Sequence, residues 1–321
     1  MQHPGQDRTP TYEGRVLPRP DEELVDQGLG FDVGTLLSRR RLLTVLGLGA
    51  ASVGLAACGA NGSTSSSTSS SSSATAAAGE IPEETAGPYP GDGSNGPDVL
   101  EQSGIVRSDI RSSFGGYSGT ADGVPMTLEL TVADLADGGT PFEGVAVYVW
   151  HCTREGGYSL YSSGIEDQNH LRGVQVADAQ GTVRFTSVFP ACYDGRWPHV
   201  HVEVYPDQAA ITDSTNAIAT SQVALPQDVC ETVYATPGYE ASVANLSRVS
   251  LEGDNVFGDD GGASQLATVT GDVAGGYTVR LSLGVDTGTT PTGGGLGGDG
   301  APSGVPGGTP PTGAPPAPPS N

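Results

Sequence analysis

The chain has 321 residues, enough for one large domain or two small ones, and its 49 glycines and 24 prolines gather in tails and loops, so the foldable part is shorter than the whole. A net charge of −23 and an isoelectric point near 4.2 exclude a nucleic-acid ligand, because such a surface repels phosphates, and read as a well-solvated exterior. The four cysteines, Cys58, Cys152, Cys192 and Cys230, form no CxxC pair, which excludes zinc-finger spacing.

In chain order, residues 1–37 are polar and acidic, and Ser38-Arg39-Arg40-Arg41-Leu42-Leu43 follows. The apolar stretch from Leu42 to Ala57 is short and rich in Gly and Ala, a poor match to a transmembrane helix. A basic region, a short apolar region and the small-residue end Leu55-Ala56-Ala57-Cys58 make residues 1–58 a secretory signal. The paired arginines before Leu-Leu resemble a twin-arginine export signal. Leu-Ala-Ala-Cys resembles a bacterial lipobox, in which Cys58 is acylated and becomes the first mature residue. The expected location is therefore the outer face of the cytoplasmic membrane, reached by a lipid anchor at Cys58. Residues 59–79 are a Ser-rich linker, as a flexible tether off a membrane should be. Twin-arginine export carries folded proteins. With Cys58 lipidated, three cysteines enter an oxidising compartment, where one disulfide among Cys152, Cys192 and Cys230 is expected, its partners unassigned.

Residues 286–321 are rich in Gly, Pro and Thr. They carry too little bulky apolar surface to offset their ordering entropy, and disorder is expected there. The foldable core is thus 80–285, a normal size for one domain. Within it Met126–Val132, Val145–Trp150, Thr182–Val188, His199–Val204 and Tyr277–Leu283 alternate with period two, and Gly, Asp and Pro clusters separate them. Short β-rich runs divided by turn signals predict an all-β domain, a sandwich or barrel. Leu225 to Tyr234 reads as one short helix over a rim, and no internal repeat is present.

Chemistry concentrates in Pro198-His199-Val200-His201. On a strand, positions i and i+2 share a face, so both imidazoles reach one metal. By itself the HxH pair fits two partly buried, hydrogen-bonded histidines at least as well. Its neighbourhood shifts the balance: Phe189-Pro190-Ala191-Cys192-Tyr193 lies just before it, and Gly156-Gly157-Tyr158-Ser159 lies upstream. Tyrosine is an uncommon ligand because its phenol ordinarily titrates near pH 10, but a trivalent hard cation can deprotonate it. Two phenolates and two neutral imidazoles on such a trivalent ion leave one positive charge.

Gly-Gly-Tyr158, Phe-Pro-x-Cys-Tyr193 and Gly195-Arg196-x-Pro-His199-x-His201 resemble the iron-binding signature of the intradiol ring-cleavage dioxygenases. The resemblance covers about 80–285 and none of the tails. It implies a β-sandwich with mixed-topology sheets and a non-haem Fe3+ held by Tyr158, Tyr193, His199 and His201. It implies that catechol-type substrates are cleaved with dioxygen between their hydroxyl-bearing carbons to muconate-type diacids. Arg196 matches the family's arginine beside the substrate ring, and Gln222 resembles the glutamine behind it, although its distance from His201 is longer than usual. Thr85, Gly87 and Pro88 resemble the Thr-x-Gly-Pro segment lining the pocket. The resemblance assigns Tyr193 the role of the tyrosinate that leaves and takes a catechol proton. Tyr161 competes with Tyr158, which is favoured because Gly-Gly-Tyr matches the family turn. His151 and His170 are expected to be structural and Trp150 to be core. Family members form dimers or larger assemblies, so a homo-oligomer is implied, though a tethered protein does not require one. Two other readings stand beside this one: a lipid-anchored sandwich that binds iron or catechol without turnover, and a zinc or copper site, against which the two tyrosines argue.

Overall fold

The alternation of Met126, Leu128, Leu130 and Val132 with polar neighbours gives a strand with one dry face, and in the computed structural model those four side chains are buried. The structure describes residues 79–291, together with a short antiparallel ribbon of β1 (Thr11–Tyr12) and β2 (Arg15–Val16) in the separate unit Met1–Ser70. The signal segment with Cys58, most of the Ser-rich linker and the tail beyond 291 lie outside the described residues.

One sheet is built on β3 (Pro125–Asp134). It pairs antiparallel with β4 (Thr140–Pro141) and β7 (Thr182–Val188), and parallel with β11 (Gly276–Val285), which forms a hairpin with β10 (Thr268–Asp272). The second sheet is antiparallel throughout, in the order β6 (Arg172–Val176), β5 (Ala146–Trp150), β8 (His199–Tyr205), β9 (Ala219–Ala224). The main core lies between the two sheets, where Leu128, Leu130 and Phe185 pack in one cluster with Val147, Val149, Val200, Val202 and Val223. The fold is the expected β-sandwich, with one sheet of mixed topology and one antiparallel.

A second core covers the other face of the second sheet. Val99, Leu100 and Ile105, from the arm that precedes β3, cluster with Tyr148, Trp150 and Tyr205. The strands β5, β8 and β9 are consequently buried along their whole length. This explains the composition of β8: Val200, Val202 and Val204 enter the main core, while His199, His201, Glu203 and Tyr205 face the arm.

All five strands expected from alternation are present. The strands β6 and β9 were not legible in the same way, because Arg172, Thr220, Ser221 and Gln222 are buried polar residues and break the apolar pattern. Helix α1 (Gln227–Tyr234) lies within the expected helical segment, after Pro226, whose extended φ and ψ end the preceding strand region. A second short helix, α2 (Glu240–Leu246), was not foreseen.

Gly181 turns the chain into β7 with φ +70°, and an added Cβ would lie 2.3 Å from the Val132 carbonyl oxygen. Gly181→Ala is expected to cost on the order of 1–3 kcal/mol through the left-handed backbone and the collision, measured as a lowered urea midpoint.

The expected disulfide is absent: Cys152, Cys192 and Cys230 are all buried and free. The thiols of Cys152 and Cys192 instead point to backbone carbonyls, Ala191 at 3.6 Å and Arg196 at 3.4 Å, and Cys230 fills the main core as a small apolar group. Burial pushes Cys152 and Cys192 up to about 12, so they remain protonated thiols at neutral pH. In the folded protein all three are expected to resist iodoacetamide at pH 8 and to label fully in denaturant, read by peptide mass mapping.

Candidate metal centre

The site forms on the arm-facing side of β8. Antiparallel register sets Trp150 of β5 and Gln222 of β9 on either side of His201. The Trp150 and His201 rings stack at 4.7 Å with planes 4° apart, so Trp150 is both core and the wall behind the imidazole. Above His201 lies Gly87, with φ +71°; a Cβ there would meet His201 Cε1 at 3.3 Å. Glycine is thus required at that point of the arm for backbone to approach the ring.

Tyr158 arrives from the loop after β5. Gly156, with φ +92°, lets this loop close on Tyr193, whose Cβ would lie 3.2 Å from an added Cβ. The Ser162 hydroxyl accepts the Tyr158 N–H at 2.8 Å. Tyr193 lies on the turn between β7 and β8, and α2 fixes the preceding residue: Ser242 Oγ accepts Cys192 N–H at 3.1 Å and Asn245 donates to the Cys192 carbonyl at 2.8 Å.

Four donor atoms converge. Tyr158 Oη lies 3.3 Å from His201 Nε2 and 3.5 Å from His199 Nε2. Tyr193 Oη is 3.2 Å from His199 Nε2, and the two Nε2 atoms are 3.1 Å apart. The Trp197 carbonyl lies 2.5 Å from His199 Nδ1, so Nδ1 donates to it and Nε2 presents a lone pair to the cluster. His201 Nδ1 is buried without a hydrogen-bond partner, which leaves packing against Trp150 and Gly87 to orient that ring.

Electrostatics fit a cation among these atoms. Burial raises the Tyr158 phenol well above its ordinary value, and the neighbouring Tyr193 raises it further. Burial also lifts Tyr193, to about 12, against the opposing pull of Arg196. Desolvation lowers His199 to about 3 and His201 well below its usual range. The protein by itself therefore keeps the imidazoles neutral and the phenols protonated. Four inward-facing oxygen and nitrogen atoms with so few other partners form a donor set that a hard, highly charged ion would organise and deprotonate. Among the described residues no group of three or more His, Cys, Asp and Glu side chains could hold a metal, so the phenols are what make this cluster a candidate.

Tyr161 lies outside it. Its hydroxyl accepts the Gly91 N–H at 2.9 Å and donates to Asn95 Oδ1 at 2.7 Å. His151 bonds Ser187 Oγ at 2.7 Å and lies 2.8 Å from the Cys152 carbonyl. His170 is buried beside Ser159, whose hydroxyl donates to its carbonyl. All three occupy structural positions.

Arg196 stands beside the cluster. It donates from Nη2 to Gln222 Oε1 at 2.7 Å, and Gln222 in turn donates to the Thr85 carbonyl at 3.0 Å. This chain of bonds ties Arg196, Gln222 and Thr85 into one wall. Sequence reading missed Asp254, which receives Arg196 Nε at 3.0 Å and Nη2 at 3.3 Å and also accepts the Trp197, Val256 and Phe257 N–H groups. Its side chain is 0% exposed. The available signal was indirect: an arginine as enclosed as Arg196 needs a carboxylate, but nothing in the sequence says which one.

A family model described as "Dioxygenase" matches residues 95–206, a stretch that contains Tyr158, Tyr193, His199 and His201 and ends before Gln222 and Asp254. A chlorocatechol 1,2-dioxygenase from Rhodococcus opacus is 41% identical over 83 residues, 22% of this chain and 32% of that protein. A catechol 1,2-dioxygenase from a Pseudomonas strain is 40% identical over 72 residues, 22% of this chain and 23% of that protein. The matches thus span about a third or less of these relatives' lengths. An intradiol ring-cleavage dioxygenase structure from Tetranychus urticae shares the fold with a TM-score of 0.52 and 22% identity, covering 65% of this chain and 95% of that one.

Proposed function

Given that this chain belongs to the intradiol ring-cleavage dioxygenase family, we propose that it is an enzyme that opens a catechol-type ring between its two hydroxyl-bearing carbons, placing both atoms of dioxygen in a muconate-type diacid. The observation that carries this reading is the convergence of two phenols and two imidazoles, with neighbouring donor atoms 3.1–3.5 Å apart, beside a held guanidinium.

In this reading Tyr158, Tyr193, His199 and His201 hold a ferric ion. When bound, that ion supplies a Lewis-acid centre for the two catechol oxygens and couples the electron-rich ring to dioxygen. Tyr158, a residue 1% exposed and locked by its loop, would be the ligand that stays in place. Tyr193 is only partly buried, and its Oη is the atom that receives a hydroxyl proton from the incoming catechol. Arg196 would stabilise negative charge that develops on the ring, because Gln222 and Asp254 hold its guanidinium in place beside the cluster and it need not reorganise during the reaction. Trp150 and the arm around Gly87 keep water from the imidazoles.

Export and lipid anchoring at Cys58 are part of the same proposal. They rest on the Leu55-Ala56-Ala57-Cys58 end of the signal and the Ser-rich linker that follows. Labelled fatty acid is expected to appear on the wild-type chain and not on Cys58→Ala.

The central test is a visible spectrum and metal analysis of the purified chain, repeated with catechol under nitrogen, followed by oxygen uptake in air. The expected result is about one iron per chain, a broad tyrosinate-to-iron band that shifts with catechol, and oxygen consumed with ring opening. A protein that stays colourless after ferric reconstitution would overturn the assignment.

A further inference from the structure

We infer that Asn95 is a modification site: the Asn95-Gly96 pair closes to a succinimide with loss of ammonia, and the aspartate or isoaspartate that water then forms there releases a strap of backbone lying over the donor cluster. This holds whatever ion or substrate the cluster takes.

The strap is Pro88-Tyr89-Pro90-Gly91. Its two prolines have no N–H, so side chains rather than a sheet ladder hold it, chiefly by its carbonyls. At the buried end Arg172 donates to the Tyr89 and Pro90 carbonyls at 2.9 and 2.6 Å, and the Tyr148 hydroxyl also donates to that of Pro90 at 2.6 Å. At the exposed end Asn95 donates from Nδ2 to the Pro88 carbonyl at 2.8 Å, while its Oδ1 accepts the Tyr161 hydroxyl at 2.7 Å. Tyr161 Oη in turn accepts the Gly91 N–H at 2.9 Å. One primary amide thus latches both ends of the strap. The strap covers the cluster: Gly87, just before it, packs on the His201 ring, and the Tyr89 ring stacks on Tyr158 with centroids 4.9 Å apart and planes 29° apart.

Asn95 is the chemically labile member of this set. It is partly exposed and precedes Gly96, which is exposed, has φ +131° and has nothing within 4 Å of the place a Cβ would occupy. Among the described residues no group accepts the Gly96 N–H. The Gly96 nitrogen is therefore unhindered. Once base takes its proton, it attacks Asn95 Cγ, the bond from Cγ to Nδ2 breaks, and ammonia leaves. Water opens the imide at Cγ to give aspartate, or at the Asn95 backbone carbonyl to give isoaspartate; no electrons are transferred. To react, the side chain must first leave Pro88 and Tyr161, so opening of the latch sets the rate in the folded chain.

The product has an oxygen where Nδ2 was. It has no N–H for the Pro88 carbonyl, and it sets a negative charge against that oxygen in a loop whose sides already carry Asp92 and Asp98, bridged to each other. Isoaspartate also adds a carbon to the main chain at the latch.

A second Asn-Gly pair, Asn61-Gly62 in the Ser-rich linker, is an internal reference. The test holds the full chain at pH 8, native and in urea, and follows each asparagine over days by peptide mass mapping. In urea Asn61 and Asn95 are expected to convert at the same rate. In the folded chain Asn95 is expected to convert more slowly than in urea but ahead of Asn169, Asn216, Asn245 and Asn255. Tyr161→Phe, which removes one bond of the latch, is expected to speed Asn95 roughly fivefold and to leave Asn61 unchanged. Asn95→Asp, which carries one of the two products, and Tyr161→Phe are both expected to exchange amide hydrogens faster than wild type over Gly87 to Gly91, with melting curves reporting that they are folded. Asn95 intact in the folded chain after Asn61 has converted would overturn the modification site. A rate that Tyr161→Phe leaves unchanged would overturn control by the latch, and unchanged exchange in both variants would overturn release of the strap. None of these readouts uses iron or catechol, so the reading of the site stands or falls separately.

Discussion

Asp254→Ala is expected to destabilise the folded chain by about 3–5 kcal/mol, since removing one partner of a buried ion pair strands the other charge. Asp254 accepts two bonds from Arg196 and one each from the N–H groups of Trp197, Val256 and Phe257, so the alanine variant strands a guanidinium and three backbone donors together. Urea unfolding measures the loss. Arg196→Ala should cost less, because the Asp254 carboxylate would keep its backbone donors. The double variant should fall short of the sum of the singles by at least about 1 kcal/mol, the signature of groups that share one network. An additive double variant would show that the two residues do not depend on each other. Asp254→Asn separates charge from shape: it keeps an acceptor oxygen for Trp197 and loses the neutralising charge, so its stability should lie between wild type and Asp254→Ala.

The second large effect is expected at His201. His201→Ala removes one of the four converging donors and the ring that stacks on Trp150. Under the proposed function, kcat/KM for catechol should fall roughly a thousandfold or more, since the chain's residues would no longer hold the ion that carries the chemistry. A readout independent of turnover is the melting temperature with and without ferric ion. Binding to the folded state alone stabilises it by mass action, so the wild-type chain should gain several degrees on loading and His201→Ala little or none. Equal gains in both proteins would place the ion elsewhere. Tyr158→Phe should behave in the same way and also bleach the phenolate-to-iron band. Tyr161→Phe should do neither, because its hydroxyl serves Gly91 and Asn95.

That contrast between two tyrosines three residues apart shows how far local sequence reaches. Both belong to the same loop and both are phenols near a Gly-Gly turn. The pattern favoured Tyr158, but only the fold shows one hydroxyl beside two imidazoles and the other bonded to the arm. Asp254 marks the same boundary more sharply. It stands 58 residues after Arg196 in the chain, and no periodicity joins them; the closure of the chain over the end of β8 does.

The cysteines were misjudged for a related reason. Compartment and count argued for a disulfide, yet those features say nothing about whether two sulfurs meet. Here each of the three thiols is buried in its own contacts. The strands β6 and β9 carry no apolar alternation because a strand under two covering layers can bury Thr220, Ser221 and Gln222 as readily as valine once their polar atoms are bonded. Ser221 donates to the Pro82 carbonyl and Gln222 to that of Thr85.

The sequence by itself determined what depends on neighbours along the chain. It specified the strand-forming runs, the one-face placement of His199 and His201, and the glycine-dependent loop that delivers Tyr158. Those properties follow from a two-residue repeat and from backbone freedom at glycine, both local. The tertiary structure alone decided which tyrosine joins the histidines, which carboxylate neutralises Arg196, and that the arm converts an outer sheet face into a buried site. Such properties depend on contacts between residues distant in sequence, which arise only when the second sheet and its covering arm pack together.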